Sequence, residues 1–359
     1  MKALAIDWKR LELMEGKMKR ISHKLIYLGV AVLLVAAMLA TGGAAGCAPA
    51  APAKRDIVLG THEAGSTFYV YGAAFADLFS KHTPYTGKVM AVAGSGVWLP
   101  MMEEGEVDLG LETFYGLWQA RHGKGAYTKA YDILLVEGGS GINVGLYVRE
   151  DSPVRTRADI RGLRIGTGYP GSPNIYTYAT GEIANAGLTW DDVEGVPRTT
   201  LYAGQREDVT EKKLDVFYAS VGSAITTELD AAIGIRFLGL DPSPGAMAKM
   251  REAYPAVTSQ VQPGPPGIDE PMWLTQLPAY LVAHASVSDK VIYEVVKATW
   301  ENYEALGLVE AKLKKWTPDR FVSAQATIPY HPGAIKFYKE KGVWTDEMDK
   351  MQKRLLAEK

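Results

Sequence analysis

Residues 56–80 read DIVLGTHEAGSTFYVYGAAFADLFS, and the two halves of this stretch follow different periods. Asp56-Ile57-Val58-Leu59-Gly60 is a short apolar run of the kind that makes a buried strand. After a loop over residues 61–66, Phe68, Tyr71, Phe75, Leu78 and Phe79 recur at the three-and-four spacing of a helix face. The same order then repeats. Residues 88–93 read as a strand, 98–104 as a helix closed by Gly105, and 107–111 as a third strand. Strands alternating with helices through short loops predict an α/β fold built around a parallel sheet.

The alternation continues downstream. Residues 142–149 (INVGLYVR) predict a long strand, 156–160 a short helix stopped by Gly162, 163–166 a strand, and 173–186 a helix closed by Gly187. Residues 214–218 and 237–240 read as further strands, with a helix opening at Ser223 between them. Residues 254–269 read as loop, broken by Pro263-Gly264-Pro265-Pro266-Gly267. The chain ends in helical patterns over 289–306, 309–316, 333–341 and 346–356. No solenoid-length repeat occurs.

The N-terminal segment carries a different signal. Lys17, Lys19, Arg20 and Lys24 precede an unbroken apolar stretch, LIYLGVAVLLVAAMLA, over residues 25–40. Small residues and then Cys47 follow, in the order Ala44-Ala45-Gly46-Cys47. Positive patch, apolar core and small-residue end make a signal peptide over residues 1–47. The Ala-Ala-Gly-Cys end resembles a bacterial lipobox, which makes Cys47 the expected lipidation site and the periplasm or cell surface the expected location. Simple cleavage nearby and an uncleaved anchor are the alternatives, since no charge falls between Leu25 and Ala53, and a bilayer span needs only ~20 residues. Membrane contact is expected only through that anchor. Residues 48–54 (APAAPAK) read as a tether.

Cys47 is the only cysteine, so residues 48–359 cannot form a disulfide and must rely on their core. Hydrophobic content of 47% and charged content of 22% are ordinary for a globular chain. Net charge is −2, and beyond residue 47 there are 32 Lys/Arg against 38 Asp/Glu. With no basic stripe, nucleic acid is not an expected partner. Net charge does not draw an anion either, so local dipoles would have to.

Three loops offer such dipoles. Residues 60–72 (GTHEAGSTFYVYG), 93–96 (AGSG) and 168–174 (GYPGSPN) each follow a strand and open a helix. Glycine lets backbone approach a ligand, and the first-turn N–H groups of a helix suit a carboxylate or phosphate. Ser172 reads as an N-cap with Pro173 at the first helical position. Capping alone explains Ser66, Ser95 and Ser172 equally well. The dinucleotide and P-loop glycine patterns are absent, and the five histidines after residue 47 show no metal-ligand spacing. No metal or cofactor is expected. Glu63 and Glu112 each follow a strand and read as ligand contacts or, alternatively, as a carboxylate pair for glycoside hydrolysis. His331 reads as structural, fixing a helix start at Pro332.

These motifs, taken together, resemble those of the TAXI-type receptors, the solute-binding subunits of tripartite ATP-independent periplasmic (TRAP) transporters. The resemblance rests on Gly60-Thr61 through Gly72, on residues 105–111 (GEVDLGL), on Asp159-Ile160 with Arg164-Ile165-Gly166, on Pro170-Gly171-Ser172, on Lys213-Leu214-Asp215-Val216, and above all on residues 328–342 (IPYHPGAIKFYKEKG). It implies a type II periplasmic-binding-protein fold with two hinged lobes, lobe one over 55–143 and 262–359 and lobe two over 144–261, with the C-terminal helices packed on lobe one. It implies no enzymatic activity, a small organic ligand that is a carboxylate, a monomer, and delivery to a TRAP permease. An ABC importer or a sensor kinase is the alternative partner, and a secreted hydrolase the alternative function. Expected ligand contacts are Ser66, Thr67, Tyr69, Ser95, Thr113, Gly171, Ser172, Asn174 and Tyr218, with Glu63 and Glu112. The loops depart from the family pattern at His62, Glu63 and Ser66, at Leu99, at Glu112-Thr113-Phe114 and at Pro173-Asn174, so the scaffold is kept and the pocket is altered.

Overall fold

The computed structural model describes residues 54–358 apart from residue 126. The export signal, Cys47 and nearly all of the tether lie outside the described residues. Among the described residues no helix is long and apolar enough to cross a membrane.

Strand β1 (Arg55–Thr61) runs parallel to β2 (Tyr85–Ala91) on one side and to β3 (Leu109–Thr113) on the other. Helix α1 (Thr67–His82) makes the first crossover and α2 (Ser95–Glu103) the second. All five apolar positions read at helical spacing in α1 are buried. Ser66 caps this helix, its Oγ accepting from the Tyr69 N–H at 3.0 Å. Trp98 of α2 lies flat across β1 and β3. A Cβ at Gly60 would come within 2.7 Å of its ring system and one at Gly110 within 2.5 Å, so both strands need glycine beneath it.

The parallel arrangement stops at β3. The next neighbours are two long antiparallel strands, β10 (Met272–His284) and β4 (Ile133–Arg149), and the order across the sheet is β2-β1-β3-β10-β4-β7. β4 continues past β10 to pair with β7 (Phe217–Ser220) and β8 (Ile235–Phe237), and the first half of β10 pairs with β9 (Val257–Val261). β5 (Arg164–Gly168) and β6 (Glu194–Arg198) form a separate parallel pair, bridged to the main sheet at Ile165 and Val216. The fold is α/β as expected, but the sheet is mixed. Parallel pairing holds within β1–β3 and β5–β6, and the two long strands that join these regions run against their neighbours.

One large apolar cluster runs from β1–β3 and the terminal helices through to Ile165, Ile183 and Met250. A second, with Tyr147, Phe217, Ile235, Phe237 and Leu274, lies where β4 meets β7 and β8. Two aspartates do the same job in the two regions. Asp108 accepts the Val58 N–H of β1 at 2.9 Å, and Asp215 accepts the Arg164 N–H of β5 at 3.0 Å. Each also pairs with an arginine. The C-terminal helices return to the first region: α8 (Asp289–Val309) packs on α1, and α10 (Pro332–Glu340) packs on α8. His331 is the N-cap of α10, with Nδ1 accepting from Gly333 N–H and Nε2 donating to the Val287 carbonyl. That pattern requires the neutral ring, and burial holds its pKa below the ordinary value.

Candidate functional site

Three helices begin at one small cavity. Thr67 and Phe68 come from the start of α1, Thr113 is the N-cap of α3 (Phe114–His122), and Asn174 and Ile175 open α4 (Asn174–Asn185). Ile142 and Val144 of β4, with Leu277 of β10 opposite Ile142, line it from the two long strands. His62, Glu112, Tyr178, Tyr202, Tyr218 and Ser220 complete the wall. The free space inside is about 30 Å³, against the ~10–15 Å³ a single water needs. Thr67 also faces a wider, open cleft of about 440 Å³ lined by Ser66, Ser223 and Lys312, and its hydroxyl bonds Ser220 at 3.0 Å between the two spaces.

Glu112 is the charged centre of this wall. Its Oε2 accepts from His62 Nε2 at 2.9 Å and Ser95 Oγ at 2.8 Å, and its Oε1 from the Thr113 N–H at 2.6 Å and Oγ1 at 2.9 Å. These bonds orient the next groups outward. Because Ser95 and Thr113 spend their protons on the carboxylate, Tyr127 must donate to Ser95 at 2.8 Å and Tyr178 to Thr113 at 2.5 Å. Gly116 N–H in turn donates to Tyr178 at 3.1 Å. Burial pushes the Glu112 pKa up, but His62 and the hydrogen bonds from Thr113 and Ser95 outweigh it and hold the carboxyl below its usual range. Its four acceptor positions are all taken.

Two other polar atoms are not satisfied. Asn174 Oδ1 and Tyr218 Oη are buried without a hydrogen-bond partner, although their residues are only 1% and 3% exposed. Buried polar groups in folded proteins nearly always have partners, so these two wall residues each leave one group for a water or a ligand to satisfy. Among the described residues, none on the cavity wall is Lys or Arg. Among the described residues no cluster of His, Cys, Asp and Glu suits a metal ion.

The model of the NMT1-like family matches residues 59–342. The chain belongs to the NMT1-like family. Solved structures similar to this NMT1-like chain include a binding protein component of an ABC phosphonate transporter from Pseudomonas aeruginosa, 15% identical with a TM-score of 0.48, the match covering 85% of this chain and 99% of that one. An alkanesulfonate-binding protein from Xanthomonas axonopodis pv. citri, bound to MOPS, is 14% identical with a TM-score of 0.47 and coverages of 83% and 96%. A putative L-cystine ABC transporter protein from Listeria monocytogenes is 12% identical with a TM-score of 0.47 and coverages of 75% and 98%.

Of the residues singled out from the NMT1-like sequence, Thr67, Glu112, Thr113, Asn174 and Tyr218 line the cavity together. Ser95 reaches it only through Glu112. Ser66 caps α1 and faces the wider cleft, and Tyr69 lines neither space. Gly171 and Ser172 lie against the loop over residues 93–96: Gly96 N–H donates to the Gly171 carbonyl at 3.0 Å, and Ser172 Oγ to the Ala93 carbonyl at 2.7 Å. Ser172 therefore does not cap α4, because its hydroxyl is spent on the Ala93 carbonyl and Pro173 takes the cap position. A Cβ at Gly171 would sit 2.3 Å from the Ala93 methyl, so this glycine permits the two loops to touch. Glu63 Oε2 accepts from the Tyr202 and Ala203 N–H groups at 3.0 and 2.6 Å. Glu63 is thus tied to a loop through Oε2, with Oε1 buried and unpartnered, and it does not line the cavity that the saturated Glu112 lines.

Sequence reasoning passes over Tyr178, Tyr202 and Ser220, and marks His62 only as a departure from the family's first loop. Tyr178 lies one helical turn after Asn174 and Ser220 two strand positions after Tyr218, so periodicity alone would have joined each to a named neighbour. Tyr202 sits in an irregular stretch and carries no such signal.

Proposed function

We propose that the chain is an extracytoplasmic solute-binding protein that closes two lobes over a small organic ligand and delivers it to a membrane permease. The observation that carries this reading is the cavity itself: a space lined by β4, β10 and the starts of three helices, two of whose wall residues, Asn174 and Tyr218, carry a buried polar atom without a partner. The division into lobe one over 55–143 and 262–359 and lobe two over 144–261 is part of the proposal. In it, polar contacts that join the lobes include Glu63 with Tyr202 and Ala203, Thr67 with Ser220, Gly96 with Gly171, Ser172 with Ala93, Thr113 with Tyr178 and Asn174, and Lys312 with Gly222. A ligand whose contacts favour the closed form would tip the balance of such contacts toward closure.

The permease is of the TRAP type on this reading, supported by the TAXI-like motifs, and Cys47 is the lipid anchor that holds the protein at the outer face of the membrane. The protein performs no chemistry on its ligand. A thermal-shift screen of the purified protein against small organic solutes tests the proposal. A true ligand at about 100 times its Kd adds about 2.7 kcal/mol of stability, a rise of several degrees, and Tyr218→Phe should diminish it. Absence of any stabilising solute from a broad panel would defeat the receptor reading.

A further inference from the structure

We infer that the solute is a small uncharged molecule bearing both a hydrogen-bond donor and an acceptor, such as a short primary amide or polyol, and not a carboxylate. The inference rests on the solute-binding reading and concerns only the class of ligand.

Three helix N-termini facing one cavity would ordinarily make an anion site, because their first-turn N–H groups are unpaired and carry partial positive charge. Here the anion is already present. Glu112, 1% exposed, lines the same cavity, sits where α2 and α3 begin, and takes four donors from His62, Ser95 and Thr113. The only basic side chain on the wall, His62, is committed to Glu112 at 2.9 Å. Lys312 belongs to the outer cleft, where its ammonium donates to the Gly222 carbonyl at 2.8 Å. A carboxylate ligand would therefore enter an apolar space beside a buried negative charge with no cation to balance it, and like charges at close range in such a site exclude one another.

The orphan atoms specify the rest. Asn174 donates through Nδ2 to Thr113 Oγ1 at 3.4 Å, which turns its Oδ1 to the unpartnered side. That oxygen needs a donor, which a carboxylate lacks and an amide or hydroxyl supplies. Tyr218 Oη offers a proton that the ligand's carbonyl or hydroxyl oxygen accepts. Phe68, Ile142, Val144, Ile175 and Leu277 keep the space small, at about 30 Å³, so the ligand has to be short.

Matched pairs test this on the native protein. Propionamide against propionate, lactamide against lactate, and glycerol against glycerate differ in charge but hardly in shape, and isothermal titration calorimetry at pH 7.5 measures each. The uncharged member of at least one pair should bind at least tenfold more tightly than its acid. A carboxylate that binds as well as or better than its partner overturns the inference and leaves the receptor reading standing. A broad panel with no binder of either kind overturns both. Glu112→Gln, which removes the resident charge and keeps its shape, should raise carboxylate affinity at least tenfold relative to the matched amide. Unchanged selectivity in a folded Glu112→Gln protein would contradict the role assigned to this residue, and the matched pairs on the native chain decide the ligand class even if the variant does not fold.

Discussion

Replacing Glu137 by Gln should remove a pH dependence from the stability of this protein. Glu137 lies in β4 with no exposed surface, and its Oε2 accepts from Trp316 Nε1 at 3.0 Å while Oε1 has no partner. Burial raises its pKa from 4.5 to about 8, and the opposing influence of Trp316 and Thr299 offsets only part of that. The folded chain therefore keeps a proton that the unfolded chain releases above pH 4.5. The associated stability is fully present below the unfolded value and falls as pH rises toward the folded one, by about 1.4 kcal/mol per pH unit. From pH 4.5 to about 8 the loss totals about 5 kcal/mol, and above that it levels off. Glutamine retains an acceptor for Trp316 and cannot ionise, although its amide N–H₂ costs about 1–3 kcal/mol if left unpaired. Urea unfolding followed by tryptophan fluorescence at pH 5, 6, 7 and 8 would give the stability difference between Glu137→Gln and the parent. That difference should move in favour of the variant by several kcal/mol across the series. A difference that stays constant with pH would refute the assignment of a buried, protonated carboxyl at this position.

Other substitutions test the cleft and the core. Glu63→Ala removes the acceptor for the Tyr202 and Ala203 N–H groups; hydrogen bonds to a charged group are worth about 1.5–3 kcal/mol each, so ligand Kd measured by calorimetry should rise at least tenfold with little change in the melting temperature of the free protein. Gly171→Ala places a methyl 2.3 Å from that of Ala93, which should weaken ligand binding in the same assay by separating the two loops. Glu182→Ala strands Arg157, whose guanidinium lies 2.6 Å from the carboxylate, and strips the Leu146 N–H and Thr275 hydroxyl of their acceptor. Removing one partner of such a buried pair costs about 3–5 kcal/mol, and a urea midpoint close to that of the parent would contradict it.

Local pattern made the crossover helices and first strands legible, because α1 presents its apolar face at regular spacing and Ser66, Ser223 and His331 mark helix starts by their own chemistry. The two longest strands were harder. The first half of β4 contains Glu137-Gly138-Gly139-Ser140-Gly141, which breaks the apolar run. A Cβ at Gly139 would meet Trp316 at 2.1 Å, so tertiary packing against that ring is what demands the glycine. β10 carries Gln276 and Pro278 in its middle and shifts register beside the proline, and its strand conformation comes from having β3 and β4 on either side. β9 lies inside a stretch that reads as loop and exists by pairing with β10. In the site, Thr67, Thr113 and Asn174 were legible because each sits where a strand gives way to a helix. The Glu112 network was not, since it joins Ser95, His62 and Tyr127 across separations that no local period encodes.

A crystal structure of the protein with its strongest-stabilising solute tests the central claim most directly. The account predicts ligand density in the space bounded by His62, Thr67, Asn174, Tyr178 and Tyr218, with Asn174 Oδ1 and Tyr218 Oη within hydrogen-bonding distance of it. Density confined to the outer cleft or the surface, with both of those atoms still unpartnered, would contradict it.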